Sequence, residues 1–232
     1  MKLPYSIVSI LEALFPTTCT CCGKTLVHGE HQMCLHCLSG LTHTFYSALN
    51  DNHTERLLTG RIPFEHATSF LQFQQGNTVQ QVIHAMKFHG NSELCLLMGR
   101  QMGLDLLQAG RFDDVDLLVP VPLHWRRKLE RGYNQSELLC RGIATHFRRP
   151  ILTRSLVRQR HTERQSMQVS SNRESNVKGA FRVKHPERLE GRHLLLVDDV
   201  LTTGATLASC CDALKEVNNL KISIATLSIA SR

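Results

Sequence analysis

The chain has 232 residues, enough for one α/β domain with a small appendage. Its formal charge of +7 is unevenly spread: His124 to Arg192 carries 17 Lys+Arg against 6 Asp+Glu, and the rest carries 10 against 14. Such a basic block suits a polyanion. No stretch approaches the roughly eighteen apolar residues that a membrane-spanning helix needs.

Residues 5–15 (YSIVSILEALF) place Ile7, Ile10, Leu11 and Leu14 on one helical face. A single lysine precedes the run, Glu12 interrupts it, and Pro16-Thr17-Thr18 is a poor cleavage context. The expectation is an amphipathic helix docked on a cytoplasmic protein with no membrane insertion. Five of the nine cysteines then fall between Cys19 and Cys37. Two CxxC pairs, Cys19/Cys22 and Cys34/Cys37, are separated by eleven residues, with Gly23 turning the chain after the first. This is tetrahedral zinc spacing, and four thiolates leave no open coordination position, so the metal expected is structural Zn2+. Cys21, His31 and His36 are spare donors, and Cys21 replaces Cys22 if the first knuckle is displaced.

Residues 38–62 show little apolar periodicity and read as a linker, with Asn50-Asp51-Asn52 as the break. Phe64 to Phe73 reads as a strand, and Gln75-Gly76-Asn77 as a turn. Val79, Val82, Ile83 and Met86 follow at helical spacing, with Lys87 in the last turn and Gly90 as C-cap. A second helix runs from Leu94 to Leu107, and its Met and Leu residues read as core. Val115 to Val119 is a buried strand that runs into Pro120-Val121-Pro122-Leu123, where the prolines stop the sheet. Ligands of open α/β sheets sit at that end of a strand. Arg126, Arg127, Lys128 and Arg131 cluster before a helix beginning near Asn134–Ser136, and forked arginine donors suit pyrophosphate. For Arg126 and Lys128 individually, a solvated surface is the better reading.

Ile151 to Val157 is strand-like, and residues 158–178 are polar and rich in Arg, Ser, Asn and Gln. A loop that long inside a compact domain is functional or disordered. Ala180 to Val183 is a further strand. Leu194-Leu195-Leu196-Val197 is an apolar run of the kind buried on both faces of a parallel sheet. Asp198 and Asp199 follow, then Val200, Leu201, Thr202, Thr203, Gly204, Ala205 and Thr206, and then a helical pattern of Leu207, Cys210, Cys211 and Leu214. A strand-to-helix loop with a glycine offers backbone N–H groups and a helix dipole to an anion. Adjacent acids beside that cradle need a counter-partner such as sugar hydroxyls or Mg2+, so the ligand implied is a phosphorylated sugar. The loop lacks the GxxxxGK[ST] pattern of a P-loop. Lys221 to Ile229 closes the chain as a last strand.

The stretch LLLVDDVLTTGAT resembles the signature of type I phosphoribosyltransferases. That resemblance implies that the acids hold the ribose hydroxyls of phosphoribosyl pyrophosphate (PRPP) and that the threonine-glycine loop cradles its 5′-phosphate. It also implies a mobile lid over residues 158–178. With VPVPLHWRRKLERGYNQSELL, RHTERQ, NRESNVKGAF and the double CxxC, the chain looks like the ComF family. Members are associated with DNA uptake in competent bacteria or with use of DNA as a nutrient. The architecture implied is an open, mostly parallel sheet flanked by helices, with a small N-terminal zinc-binding module. The expected division is 1–50 for the helix and the four-cysteine module, 51–78 for linker and first strand, and 79–232 for the phosphoribosyltransferase-like domain.

Carried over residue by residue, the catalytic candidates are Asp198, Asp199, Lys87 and Arg131, and the phosphate-binding ones are Val200 to Thr206 and Pro120 to Leu123. Asn134 and Gln135 also correspond, and the lid candidates are Arg160, Thr162, Gln165, Arg173 and Asn176. Mg2+ is expected with PRPP. Two functions compete. One is a PRPP- or nucleotide-binding protein, with or without pentosyl transferase activity. The other is a non-enzymatic module of DNA import that meets single-stranded DNA or a helicase through residues 124–192. The latter stretch has few interleaved aromatics for base stacking.

Overall fold

The computed structural model describes residues 16–159 and 179–230. The helix expected over 5–15 lies outside them, as do Arg160, Thr162, Gln165, Arg173 and Asn176 of the expected lid. In chain order the elements begin with α1 (Leu35–Ser39), α2 (His53–Leu58), β1 (Ala67–Phe73), α3 (Thr78–Phe88) and α4 (Ser92–Ala109). They continue with β2 (Leu117–Pro120), α5 (Trp125–Arg131), α6 (Gln135–Phe147), β3 (Leu156–Arg158) and β4 (Phe181–Val183). The chain ends with β5 (His193–Leu201), α7 (Ala205–Leu214) and β6 (Lys221–Ala230).

Four strands form one parallel sheet in the order β1-β6-β5-β2, and β3 and β4 pair antiparallel beside it. Leu194 to Val197 of β5 are each fully buried. Leu195 and Val197 face a core shared with α3, α4 and α6, whereas Leu194 and Leu196 face one shared with α7 and the β3–β4 ribbon. That is why the run is apolar throughout rather than alternating. Each such leucine contributes about 1.5–3 kcal/mol of burial. The strand is longer than its apolar run, because β6 continues the ladder through Val200↔Ser228 and Leu201↔Ile229. Asp198 and Asp199 therefore stand on the strand itself, with backbones held by the sheet.

The two helices on the first face approach at backbone distance. A Cβ on Gly99 of α4 would lie 2.4 Å from the Leu139 carbonyl oxygen, and one on Gly142 of α6 would lie 2.7 Å from Gly99 Cα. Gly103 repeats the contact one turn on, against the Ile143 carbonyl oxygen at 2.7 Å. Only glycine fits these three positions. The resulting close packing fixes the height of the N-terminus of α6 against the sheet.

Residues 38–62 differ from the linker expected. They contain a 3₁₀ turn at Tyr46–Ala48 and the helix α2. Asn52, in the stretch expected to break the chain, is buried and caps α2 by accepting from the Glu55 N–H. Its amide also donates to the Tyr46, Leu49 and Ala67 carbonyls. Glu55 then accepts from Arg111 at 2.8 Å and from the Ala67 N–H, tying α2 to β1. Apolar periodicity does not report this segment because polar side chains fasten much of it.

Candidate functional site

The carboxyl ends of β5 and β2 open into one cleft with about 560 Å³ of space, solvent included. Its lining brings together Lys87 from α3, Val121, Pro122 and Leu123 after β2, and Arg127 and Arg131 from α5. Asn134, Gln135 and Ser136 from the start of α6, Arg158 at the end of β3, and Asp198, Asp199, Val200 and Thr206 complete it. A second concavity shares Asp198, Val200 and Thr206 with it and is otherwise lined by Leu201 to Ala205 and Leu207. Pro120 ends β2 and is buried rather than lining the cleft. Arg126 and Lys128 are absent from the lining, in keeping with a solvated surface.

The acids dominate the electrostatics. Asp199 Oδ2 lies 3.0 Å from Lys87 Nζ in a sheltered ion pair. Asp198 Oδ1 accepts from Ser136 Oγ at 3.1 Å and from the Asp199 N–H at 2.9 Å. Burial and the Asp199 charge nevertheless push the Asp198 carboxyl up to about 7, against the opposing pull of those two donors and Lys87. Arg158 is driven below its ordinary value by burial and by neighbouring Arg127. The cleft thus sets a strained carboxylate pair beside an excess of positive charge, an arrangement suited to a polyanion bridged by a divalent cation.

Lys87 is set in place by the carbonyl before it. Met86 O accepts from Tyr133 Oη at 2.8 Å and from Gln135 Nε2 at 3.1 Å. Gln135 Oε1 accepts from Arg131, and Asn134 donates to the Val121 carbonyl while its own side chain caps α6. The GYNQS stretch is therefore a bracket that joins α3, β2 and α6 around the cleft. Ser136, Arg158 and Tyr133 were not picked out from the sequence. Ser136 does directly follow two residues that were, and that adjacency is the one signal it offers.

At the loop, Gly204 adopts φ +79°, a backbone region that side chains disfavour, and N-caps α7. A Cβ there would also come 2.9 Å from Leu58 Cδ2. The Ala205 N–H reaches Thr203 Oγ1 at 3.5 Å.

Away from the cleft, the Sγ atoms of Cys19, Cys22, Cys34 and Cys37 lie within 4.8 Å of one another, as a tetrahedral metal requires. Cys22, not Cys21, completes the set. The Cys34 N–H points at Cys19 Sγ (3.4 Å) and the Cys37 N–H at Cys34 Sγ (3.5 Å), contacts that stabilise thiolate charge. Asn91, the N-cap of α4, donates to Thr20 and Gln32 and so fastens this module to the body. The donor set can hold a metal ion. Among the described residues, no helix is long and apolar enough to cross a membrane.

Residues 136–230 match the family described as the phosphoribosyl transferase domain. That match and the parallel sheet flanked by helices define the class: a type I phosphoribosyltransferase fold. The DNA utilization protein YhgH of Escherichia coli (strain K12) is 37% identical over 136 residues, which are 57% of this chain and 59% of that protein. Competence protein F of Haemophilus influenzae is 30% identical over 62% of this chain and 64% of its own. Competence protein ComFC of Bacillus subtilis is 25% identical over 89% of this chain and 75% of its own. The chain thus spans less than two thirds of the length of the first two relatives. Its similarity to these DNA-utilization and competence proteins supports a place in the ComF family.

The raised Asp198 carboxyl predicts a pH dependence of a definite sign. Between the unfolded value, near 4, and about 7, the native state holds the extra proton, so stability falls as pH rises across that window and levels off above it. Urea unfolding at pH 5 to 8 without added Mg2+ should show wild type losing stability relative to Asp198→Asn. From pH 5 to 8 the ceiling on that loss is about 3 kcal/mol. Parallel curves for the two proteins would contradict the shift.

Proposed function

We propose that the cleft binds PRPP, or a related ribose 5-phosphate or nucleotide ligand, together with Mg2+, in a protein serving DNA uptake or DNA utilisation. The observation that supports this best is the convergence of Asp198, Asp199, Lys87, Arg127, Arg131 and Arg158 on one cleft that shares Asp198, Val200 and Thr206 with the concavity of the loop Val200–Thr206. The acids suit the ribose hydroxyls and the cation. The loop, with its glycine at positive φ and the start of α7, suits the 5′-phosphate. Lys87 and Arg131 suit the pyrophosphate, with Arg127 and Arg158 adding positive charge beside them.

Pentosyl transfer from such a ligand would break the bond from ribose C1 to pyrophosphate oxygen and form one from C1 to an acceptor nitrogen. Mg2+, when bound, neutralises charge on the departing pyrophosphate. The part of this chain's residues in that step is positioning and charge balance: the acids fix the ribose, and Lys87 and Arg131 receive the leaving charge. We further assign structural Zn2+ to the four cysteines, on the strength of their closed thiolate donor set.

A second reading is supported by α5. None of its residues is buried, Trp125 and Leu129 are exposed, and it carries Arg126 and Lys128 on its surface beside the cleft-lining Arg127. A helix left so open, with basic and aromatic side chains, suits single-stranded DNA or a helicase of the uptake machinery.

Calorimetric titration of Mg2+-PRPP should show binding by wild type and a loss on the order of a hundredfold in Asp198→Asn/Asp199→Asn. Absence of binding by folded, metal-loaded wild type would sink the first reading. Metal analysis of protein purified without chelator should find one zinc per chain, abolished in Cys34→Ser; a zinc-free folded protein would refute that assignment. For the second reading, single-stranded DNA affinity should fall steeply from low to physiological salt and weaken in Arg126→Ala/Lys128→Ala, and a flat salt response would end it.

A further inference from the structure

Beyond the residues of the signature, the phosphate loop has a contact from far earlier in the chain. Arg61, exposed just after α2, donates from Nη1 to the Thr203 carbonyl oxygen at 3.0 Å. Leu58, fully buried one turn before it, packs against Gly204, where a Cβ would come 2.9 Å from its Cδ2 and displace it. The family match begins at residue 136, so both contacts come from outside the matched domain.

A loop that binds an anion through backbone N–H groups must turn its carbonyls away from the anion, and a carbonyl so turned needs a donor of its own. In a trans peptide the C=O and the following N–H point in opposite directions, and the described chain has no cis bond. By holding the Thr203 carbonyl, Arg61 therefore directs the Gly204 N–H to the opposite side. Its guanidinium keeps four further N–H donors and a fixed positive charge at the loop.

We propose that Arg61 is a positioning residue for the phosphate loop: it locks the Thr203–Gly204 peptide plane and supplies charge that favours a terminal phosphate dianion on a sugar. This rests on the reading of the cleft given above. It makes the segment around α2 a support of the 5′-phosphate end of the cleft, whereas Arg61 is absent from the lining shared by Lys87, Arg127 and Arg131 at the other end.

The test separates the two ends of the cleft. Ribose 5-phosphate and Mg2+-pyrophosphate are titrated separately into wild type, Arg61→Met and Arg61→Lys, with thermal melting of each as a check on folding. Arg61→Met keeps most of the stem and loses the charge and donors. It should weaken ribose 5-phosphate on the order of tenfold to a hundredfold and leave pyrophosphate within about twofold. Arg61→Lys should recover part of the loss. Unchanged ribose 5-phosphate affinity in Arg61→Met would overturn the proposal, as would an equal loss for both ligands, which marks general damage. If wild type binds neither ligand, the reading of the cleft itself fails, an outcome distinct from both.

Discussion

Asp198 and Asp199 stand side by side on β5, and two sheltered carboxylates repel one another unless cations or donors balance them. Much of the architecture around the cleft meets that demand. Lys87 pairs with Asp199, Ser136 donates to Asp198, and the arginines of α5 and β3 line the cleft beyond. The compensation is incomplete, since Asp198 still retains its proton far above the ordinary carboxylate range. A sugar diol and a divalent cation are the partners that would relieve the remainder, which ties the ligand reading to the same electrostatic constraint.

Holding those counter-groups in place requires rigid supports. The backbone approach of α4 and α6 at Gly99, Gly103 and Gly142 sets where α6 begins, and so where Ser136 meets Asp198. The Met86 carbonyl, bridged by Tyr133 and Gln135, sets where α3 ends and so where Lys87 points. On the far side, Arg61 and Leu58 brace the Thr203–Gly204 turn from a segment that looks unstructured in sequence. The four-cysteine module joins the same body through Asn91, at the start of the helix that carries Gly99.

Legibility in the sequence followed the type of force involved. Strands β2, β5 and β6 and helices α3, α4, α6 and α7 showed as apolar runs or helical periodicity, because burial against a sheet selects for that pattern. The cysteine quartet was legible because zinc geometry fixes CxxC spacing, although the choice between Cys21 and Cys22 needed coordinates. Segment 38–62 lacks a legible pattern because Asn52, Glu55 and Arg111 hold it, and polar bonds to distant partners leave no periodic trace. Asp198 and Asp199 were placed after their strand because the apolar run stops at Val197, whereas the ladder with β6 does not.

Local sequence points to the class of fold, to two acids followed by a glycine-containing strand-to-helix loop, and to four cysteines spaced as metal ligands. Each is written in contiguous or closely spaced residues whose chemistry depends on local spacing. Folding in three dimensions was needed to show that Lys87, Ser136, Arg127 and Arg158 meet at those acids, that Pro120 is withdrawn into the sheet, and that Arg61 reaches Thr203. The pairings at the acids and the loop join residues tens to more than a hundred positions apart. What brings them together is the crossing of helices over a parallel sheet, which no local pattern encodes.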